Sequence, residues 1–282
     1  MTMIDLWSFQ KWDTIQNAFN THGVYTASWS KSIFVGDDNA IKTGCYTDIS
    51  NVSIDDISAI RDQFTPAYEW LASMMIQHGI TPLDLTGFTT STTNASASEF
   101  NGSNANGITN DNSVSTTVST IANTANNSSD TTVKQRVAPI WFYAKWCKFE
   151  KDTFKITEVG GKPDMRLNEF KDYTDDLIHI RIPLNRIMLT DFEAWHCVLN
   201  DAPCPPASSE SWSDKQWDEW FASTDKWSHE HIASSWSNCI ITGSDDVILH
   251  ALRSKSQPAF IQATCWYLKP EDVIKVYPSK KD

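Results

Sequence analysis

The sequence lacks any pair of cysteines in C-x-x-C spacing, which excludes the commonest zinc and redox motifs. Its six cysteines are scattered, and the nearest two, Cys197 and Cys204, are separated by a proline-containing segment. This spacing does not favour a disulfide framework either. We therefore expect reduced thiols and a cytoplasmic protein, because disulfides follow the redox state of the compartment.

Basic residues and long apolar runs are also scarce. Lys and Arg number 23 against 35 Asp and Glu, so the formal net charge is -12 over 282 residues. An acidic chain repels phosphate backbones, and nucleic acid is therefore an unlikely partner on charge grounds. No window approaches the about 18 apolar residues that suggest a membrane helix. The opening MTMIDLWSFQ lacks the basic start and apolar run of a signal peptide. We expect no membrane partner.

Metal and phosphate motifs are missing too. The H-E-x-x-H pattern is absent, and His229 and His231 would face different directions on a helix, so we expect no metal site. Gly160, Gly161 and Lys162 do not complete G-x-x-x-x-G-K-[ST] or G-x-G-x-x-G. The two glycines are better explained as a turn between strands.

What the chain does contain is a polar insertion inside an otherwise globular composition. Residues 86–134 are rich in Ser, Thr and Asn. Such a segment buries too little apolar surface to offset its ordering entropy. We predict a disordered low-complexity insertion. The alternative is that its repetitive Ser, Thr and Asn residues form additional β-strands. It would divide one domain into an N-terminal part, residues 1–85, and a C-terminal part, residues 135–282.

The remaining segments predict an α+β fold, with a mixed, mainly antiparallel sheet flanked by helices, because strands and helices are mixed without a β-α-β repeat. The segment IDLWSFQ predicts a strand with Leu6 and Phe9 as inward residues, and IHIRIPL alternates strictly. SIDDISAIRDQF and TPAYEWLASMMIQHG predict two helices, the second beginning at Thr65 and Pro66.

The segment LTDFEAWHCVLND supplies the catalytic candidates, His196 and Asp191. An imidazole near carboxylates can act as a general acid or base, because its pKa lies near neutrality. The alternative is structural, with Asp191 capping a helix and Trp195 entering the core. Adjacent helical residues point in different directions, so His196 and Cys197 are not expected to form a dyad.

The ligand-binding candidates begin with an aromatic strand and an arginine. If PIWFYAKW is a strand, Trp141 and Tyr143 share a face and could stack on a base or sugar, although core packing would also explain them. The guanidinium of Arg166 could hold a carboxylate or phosphate. An ordinary ion pair with a neighbouring acid is the alternative.

A tryptophan-rich helical segment spans residues 211–236. Trp217 and Trp220 would share one helix face. This face could be an interaction surface for a protein partner, or the lid of the core.

Several motifs in fixed order resemble a known family. They are LWSFQKWDTIQNAFNTHGVY, PAYEWLASMM, APIWFYAKW, KPDMRL, IPLNRIMLTDFEAWHCVLN, IASSW and QATCWYLKPEDVIKV. Together they resemble the bacterial domain-of-unknown-function family 3841 over nearly the whole chain except residues 86–132. The resemblance implies no activity, because that family is uncharacterised. The opening is also similar to some small ADP-ribosyltransferase-like domains, and this similarity adds Gln10 or Trp7 as a ligand-binding candidate beside Tyr143, and Glu271 as a late acidic one.

Two functional hypotheses follow. The first is a pocket protein that handles a nucleotide or NAD, with ADP-ribosyltransferase-like character and NAD or a nucleotide as the first cofactor to test. Its site would be lined by six residues: Gln10, Trp141, Tyr143, Arg166, Asp191 and His196. The second is a non-enzymatic interaction module that binds a protein through Trp217 and Trp220.

Overall fold

The computed structural model describes residues 1–28, 54–83, 137–150, 155–163 and 175–279, without the side chains of residues 54–61 and Glu210. The insertion predicted over residues 86–134 and the candidate Arg166 lie outside the described residues. Among the helices that are described, none combines the length and the hydropathy needed to cross a membrane.

The centre of the fold is a six-stranded sheet in which every neighbouring pair is antiparallel. In order across the sheet, its strands are Val273–Tyr277 (β10), Asp176–Pro183 (β7), Met3–Gln10 (β1), Ile140–Lys145 (β4), Ile261–Cys265 (β9) and Met188–Asp191 (β8). Two short antiparallel ribbons complete the strands: Ala27–Ser28 (β2) with Val137–Ala138 (β3), and Cys147–Phe149 (β5) with Ile156–Val159 (β6).

The described chain also holds six α-helices. They are Trp12–His22 (α1), Ile54–Gln77 (α2), Phe192–Leu199 (α3), Asp214–Thr224 (α4), His229–Ser235 (α5) and Asp245–Arg253 (α6). The layout is α+β with one main antiparallel sheet, and the predicted fold class is confirmed.

The first face of the sheet carries the larger apolar core. Ile4 and Leu6 of β1 lie there with isoleucines of β7, and α1 and α6 pack over them through Ile15, Ile248 and Leu252. Leu6 is confirmed as an inward residue. Phe9 lies three positions further along the strand. Because side chains alternate between the two faces, it lies on the second face, where it is only half-buried, and it does not join Leu6 in this core.

The second face is covered by α2 and α3 where it approaches β8. Leu71 and Met75 of α2 and Trp195 of α3 form a buried cluster with Met188. The β1 and β7 end of the same face instead carries charged and aromatic side chains. This difference in covering determines where a ligand could approach the sheet.

The structure corrects one helix boundary. Two helices were predicted on either side of Thr65, but α2 runs without a break from Ile54 to Gln77 with Pro66 inside it. A proline removes one backbone hydrogen bond from a helix interior and normally kinks or ends it. The apolar contacts of Leu71 and Met75 fix the later turns against the sheet, which favours a continuous helix despite the proline.

Candidate functional site

A continuous row of side chains crosses the second face of the sheet. The strand register places one residue of each strand opposite the next, in this order across the six strands: Lys275, His179, Trp7, Tyr143, Gln262 and Thr190. Opposite residues of antiparallel strands lie on the same face with Cβ atoms about 4.5–5.5 Å apart. We call these six residues the cross-strand row.

One end of the row holds buried polar atoms with no partner. Gln262 Oε1, Thr190 Oγ1 and the nearby Trp141 Nε1 are shut off from solvent, and none has a hydrogen bond to any residue that the structure describes. Most buried polar atoms in proteins are paired, and an unpaired one costs about 1–3 kcal/mol. Three such atoms on adjacent strands of one face therefore need an explanation.

The three atoms have complementary hydrogen-bonding roles. The indole N–H of Trp141 donates, the amide oxygen of Gln262 accepts, and the hydroxyl of Thr190 can do either. Trp141 lies two residues before Tyr143 and therefore on the same face of β4. A small planar group that both donates and accepts hydrogen bonds would satisfy this set.

The middle of the row is aromatic. The ring of Tyr143 meets Phe9 edge-on, with 6.5 Å between centroids, and Trp7 stacks on His179 at 4.2 Å and 7°. Trp141 packs beside Trp195 with 5.0 Å between centroids, so the aromatic surface is anchored in the core. Trp7 is buried, whereas Tyr143 is half-buried, and a half-buried ring can present a stacking surface to a ligand.

The other end of the row carries charge. Nε2 of His179 donates to Asp5 Oδ1 at 2.8 Å, and Arg181 Nε donates to the same oxygen at 2.9 Å. Partial burial acts to raise the pKa of Asp5, but the hydrogen bonds from Arg181 and His179 outweigh it and the pKa is lowered. An imidazole oriented by a carboxylate is an arrangement that proteins use for proton transfer.

Two lysines join this end through a glycine turn and β10. Lys162 Nζ lies 4.0 Å from the centroid of Tyr277, and Lys275 Nζ lies 4.8 Å from it. The backbone reaches Lys162 through Gly160, where an added Cβ would lie 1.8 Å from Trp146 Cε2. Gly160 is thus explained by close packing on an indole ring.

Of the predicted binding residues, the structure brings Trp141 and Tyr143 together on one face. Gln10 lies on the opposite face, where its Nε2 donates to Ser8 Oγ at 3.0 Å and its Oε1 accepts from the Tyr25 hydroxyl at 3.4 Å. The structure therefore does not bring Gln10 together with the two aromatic residues. Where Arg166 lies relative to them is not described.

The catalytic candidates both lie at α3: His196 is within the helix, and Asp191 ends β8 directly after Thr190, with its side chain on the face opposite to the cross-strand row. Asp191 Oδ1 accepts from the backbone N–H groups of Glu193 at 2.9 Å and Ala194 at 3.3 Å, so it caps the helix. Burial outweighs these bonds and raises the pKa of Asp191. His196 is exposed, and its Nδ1 donates to the Phe192 carbonyl at 2.9 Å. Their catalytic roles stay predictions.

Three cysteines of the chain lie around the base of α3. The neighbouring thiol of Cys204 lowers the pKa of Cys197, the Cys197 thiol and burial raise the pKa of Cys204, and burial raises the pKa of Cys239. Across the described ranges, no group of three or more His, Cys, Asp or Glu side chains is arranged to hold a metal ion.

Sequence reasoning missed most of the cross-strand row. The strict alternation of IHIRIPL indicates that His179 and Arg181 share one face, and the same alternation in β1 places Asp5 with Trp7. Those two patterns were the available signal. Gln262 and Thr190 carried none, because their relation to Tyr143 depends on the register of three strands that are far apart in sequence.

Comparison with known proteins found no matching family model, no similar curated protein and no similar solved structure.

Proposed function

We propose that the protein binds a nucleotide-like ligand on the cross-strand row, with NAD as the first ligand to test. The observation that carries this proposal is the set of three unpaired polar atoms on Gln262, Thr190 and Trp141, beside the ring of Tyr143. A carboxamide, or the edge of a purine, offers a donor and an acceptor in one plane and could pair with such a set. Ring stacking on Tyr143 would add apolar contact.

The charged end of the row supports an anionic portion of the same ligand. Lys162 and Lys275 lie over Tyr277, and Arg181 lies beside His179 on the same face. Ammonium and guanidinium groups are the usual partners of phosphate oxygens. A ligand with a ring at one end and phosphates at the other would match the order of the row.

Access to the unpaired atoms requires a local movement. All three atoms are closed to solvent, whereas the residues Gln262 and Trp141 are themselves half-buried. Rotation of the Gln262 side chain would expose its amide to an incoming ligand. Side-chain rotations of this size are common when a ligand or partner binds.

If the protein is an enzyme, transfer of ADP-ribose from NAD is the reaction that we would assay first. That reaction breaks the bond to nicotinamide, releases nicotinamide, and joins ADP-ribose to a nucleophile that loses a proton. The His179–Asp5 pair lies on the row and could accept that proton. The assay should therefore compare His179→Ala with His196→Ala, because only the former removes a side chain of the row.

We also propose that the chain belongs to domain-of-unknown-function family 3841 and that it is cytoplasmic.

Calorimetric titration with NAD, ADP-ribose, AMP and nicotinamide tests the proposal. We expect at least one of these ligands to bind the wild type, and Gln262→Ala to weaken that binding about tenfold, the equivalent of one hydrogen bond. Gln10→Ala is the matched control, since Gln10 lies on the opposite face and should leave the affinity unchanged. Binding by none of the four ligands, or equal losses in the two variants, would reject the site.

A further inference from the structure

A second aromatic surface lies on and around α4. It consists of Trp212, Trp217, Trp220, Phe221 and Trp227, and we call it the α4 aromatic surface. Neighbouring rings lie 5.1–6.2 Å apart, and Trp227 also stacks on His231 at 4.0 Å. Within the described chain, every ring contact of these five residues falls between positions 212 and 231.

Much of this surface reaches solvent. Phe221 is 56% exposed, and the four tryptophans are each half-buried. Isolated exposed hydrophobic residues are ordinary, but contiguous exposed aromatic groups often mark an interaction site. The two residues singled out from the sequence, Trp217 and Trp220, both belong to this surface.

Carboxylates line one edge of the surface. Asp218 and Asp225 lie three residues before and four residues after Phe221, which places them beside it along the helix. Asp214 precedes Asp218 by one turn and continues the same line. All three are exposed, and none forms an ion pair with another residue in the described ranges.

We propose that the α4 aromatic surface binds a basic amphipathic segment of another protein. Apolar side chains of the partner would pack on the indole and phenyl rings, and its Lys or Arg side chains would pair with the line of aspartates. The line from Asp214 to Asp225 spans about 16 Å at about 1.5 Å per residue, enough for three turns of a partner helix. The net charge of -12 would also attract such a partner before contact.

The same charges argue against other occupants. Nucleic acid and anionic lipid headgroups would both meet the aspartates with like charge. A second copy of this acidic chain would place one line of aspartates near another, unless a basic region of the copy faced it.

The test uses the full chain and two fluorescent probes, an amphipathic Leu/Lys peptide and its Leu/Glu counterpart. We expect the Leu/Lys peptide to bind the wild type and the Leu/Glu peptide not to bind. Phe221→Ala should raise the Kd for the Leu/Lys peptide about tenfold, as for an aromatic residue at the centre of an interface. Asp218→Asn should raise it about threefold at low salt and less at high salt, because salt screens exposed charges.

Matched controls separate this surface from general attraction to an acidic protein. Val247 on α6 is also 56% exposed, and Asp246 beside it is an exposed acid, so Val247→Ala and Asp246→Asn should leave the Kd unchanged. Equal effects of the two sets of variants would overturn the proposal, as would equal binding of the Leu/Glu peptide.

Sedimentation distinguishes the competing occupants. A wild-type dimer that Phe221→Ala converts to a monomer would identify a second copy of the chain as the occupant and overturn the proposal. Binding to phosphatidylserine vesicles that Phe221→Ala abolishes would overturn it in favour of a membrane. The proposal is supported if the wild type is a monomer, does not bind such vesicles, and binds the Leu/Lys peptide through Phe221.

Discussion

The cross-strand row and the α4 aromatic surface use the same residue types in different surroundings. In the row, aromatic rings stand beside buried polar atoms that lack partners, and the rings are anchored by the core through Trp195. On α4, the rings pack on one another, and the charged groups are exposed at the edge. Unpaired buried polar atoms favour a small polar ligand, whereas exposed rings with a charged edge favour a large partner.

This difference should be visible first in stability. Trp195→Ala removes a ring that is 3% exposed and packs against Trp141, and we expect it to lower the free energy of unfolding by about 3–5 kcal/mol. Trp220→Ala removes a half-buried ring from α4 and should cost about 1 kcal/mol. Urea denaturation measures both. Similar losses would mean that α4 is as much a part of the core as the row.

A smaller effect concerns pH at the charged end of the row. Because the folded-state pKa of Asp5 is lowered, its ion pair stabilises the protein above the unfolded value of 3.8, and that contribution is lost as pH falls through the folded pKa. Asp5 is largely exposed, so the contribution should stay below about 1 kcal/mol.

Asp191 provides the contrast in sign. Burial raises its folded-state pKa, so the folded protein holds that proton more tightly, and stability from this group falls as pH rises from 3.8 through the raised value. The free energies of unfolding of Asp5→Asn and Asp191→Asn, each compared with the wild type across this acidic range, measure how the contribution of each carboxylate changes with pH. Slopes of the same sign would contradict the environments described for these carboxylates.

Local patterns predicted much of the fold. Strict alternation in IHIRIPL predicted β7, and the helix predicted over TPAYEWLASMMIQHG ends before Gly79, which has a positive φ of 77°. The cap at Asp191 was weighed as the structural alternative and is present. The continuous α2 was not predicted, because the contacts that hold it around Pro66 come from distant segments.

The candidate site was predictable only in part. Placement of Trp141 and Tyr143 on one face follows from the period of a strand, which is a local property. Placement of Gln10 on the other face, and of Gln262 and Thr190 beside Tyr143, depends on strand order and register. A single sequence carries little information about these non-local relations.

We propose that polar groups of the row are left unpaired for a ligand, and one pair of threonine variants tests this directly. Thr190 and Thr264 are both fully buried on the second face, but only the Thr264 hydroxyl has a partner among the described residues, the sulfur of Met75 at 3.6 Å. Thermal and urea unfolding of Thr190→Val and Thr264→Val should therefore differ.

We expect Thr190→Val to raise the free energy of unfolding by about 1 kcal/mol, because it removes an unpaired hydroxyl, and to weaken binding of NAD or whichever nucleotide binds. Thr264→Val should be neutral or destabilising. A loss of stability in Thr190→Val as large as that in Thr264→Val would show that the Thr190 hydroxyl is already paired, for example by a buried water, and would contradict the proposed ligand site.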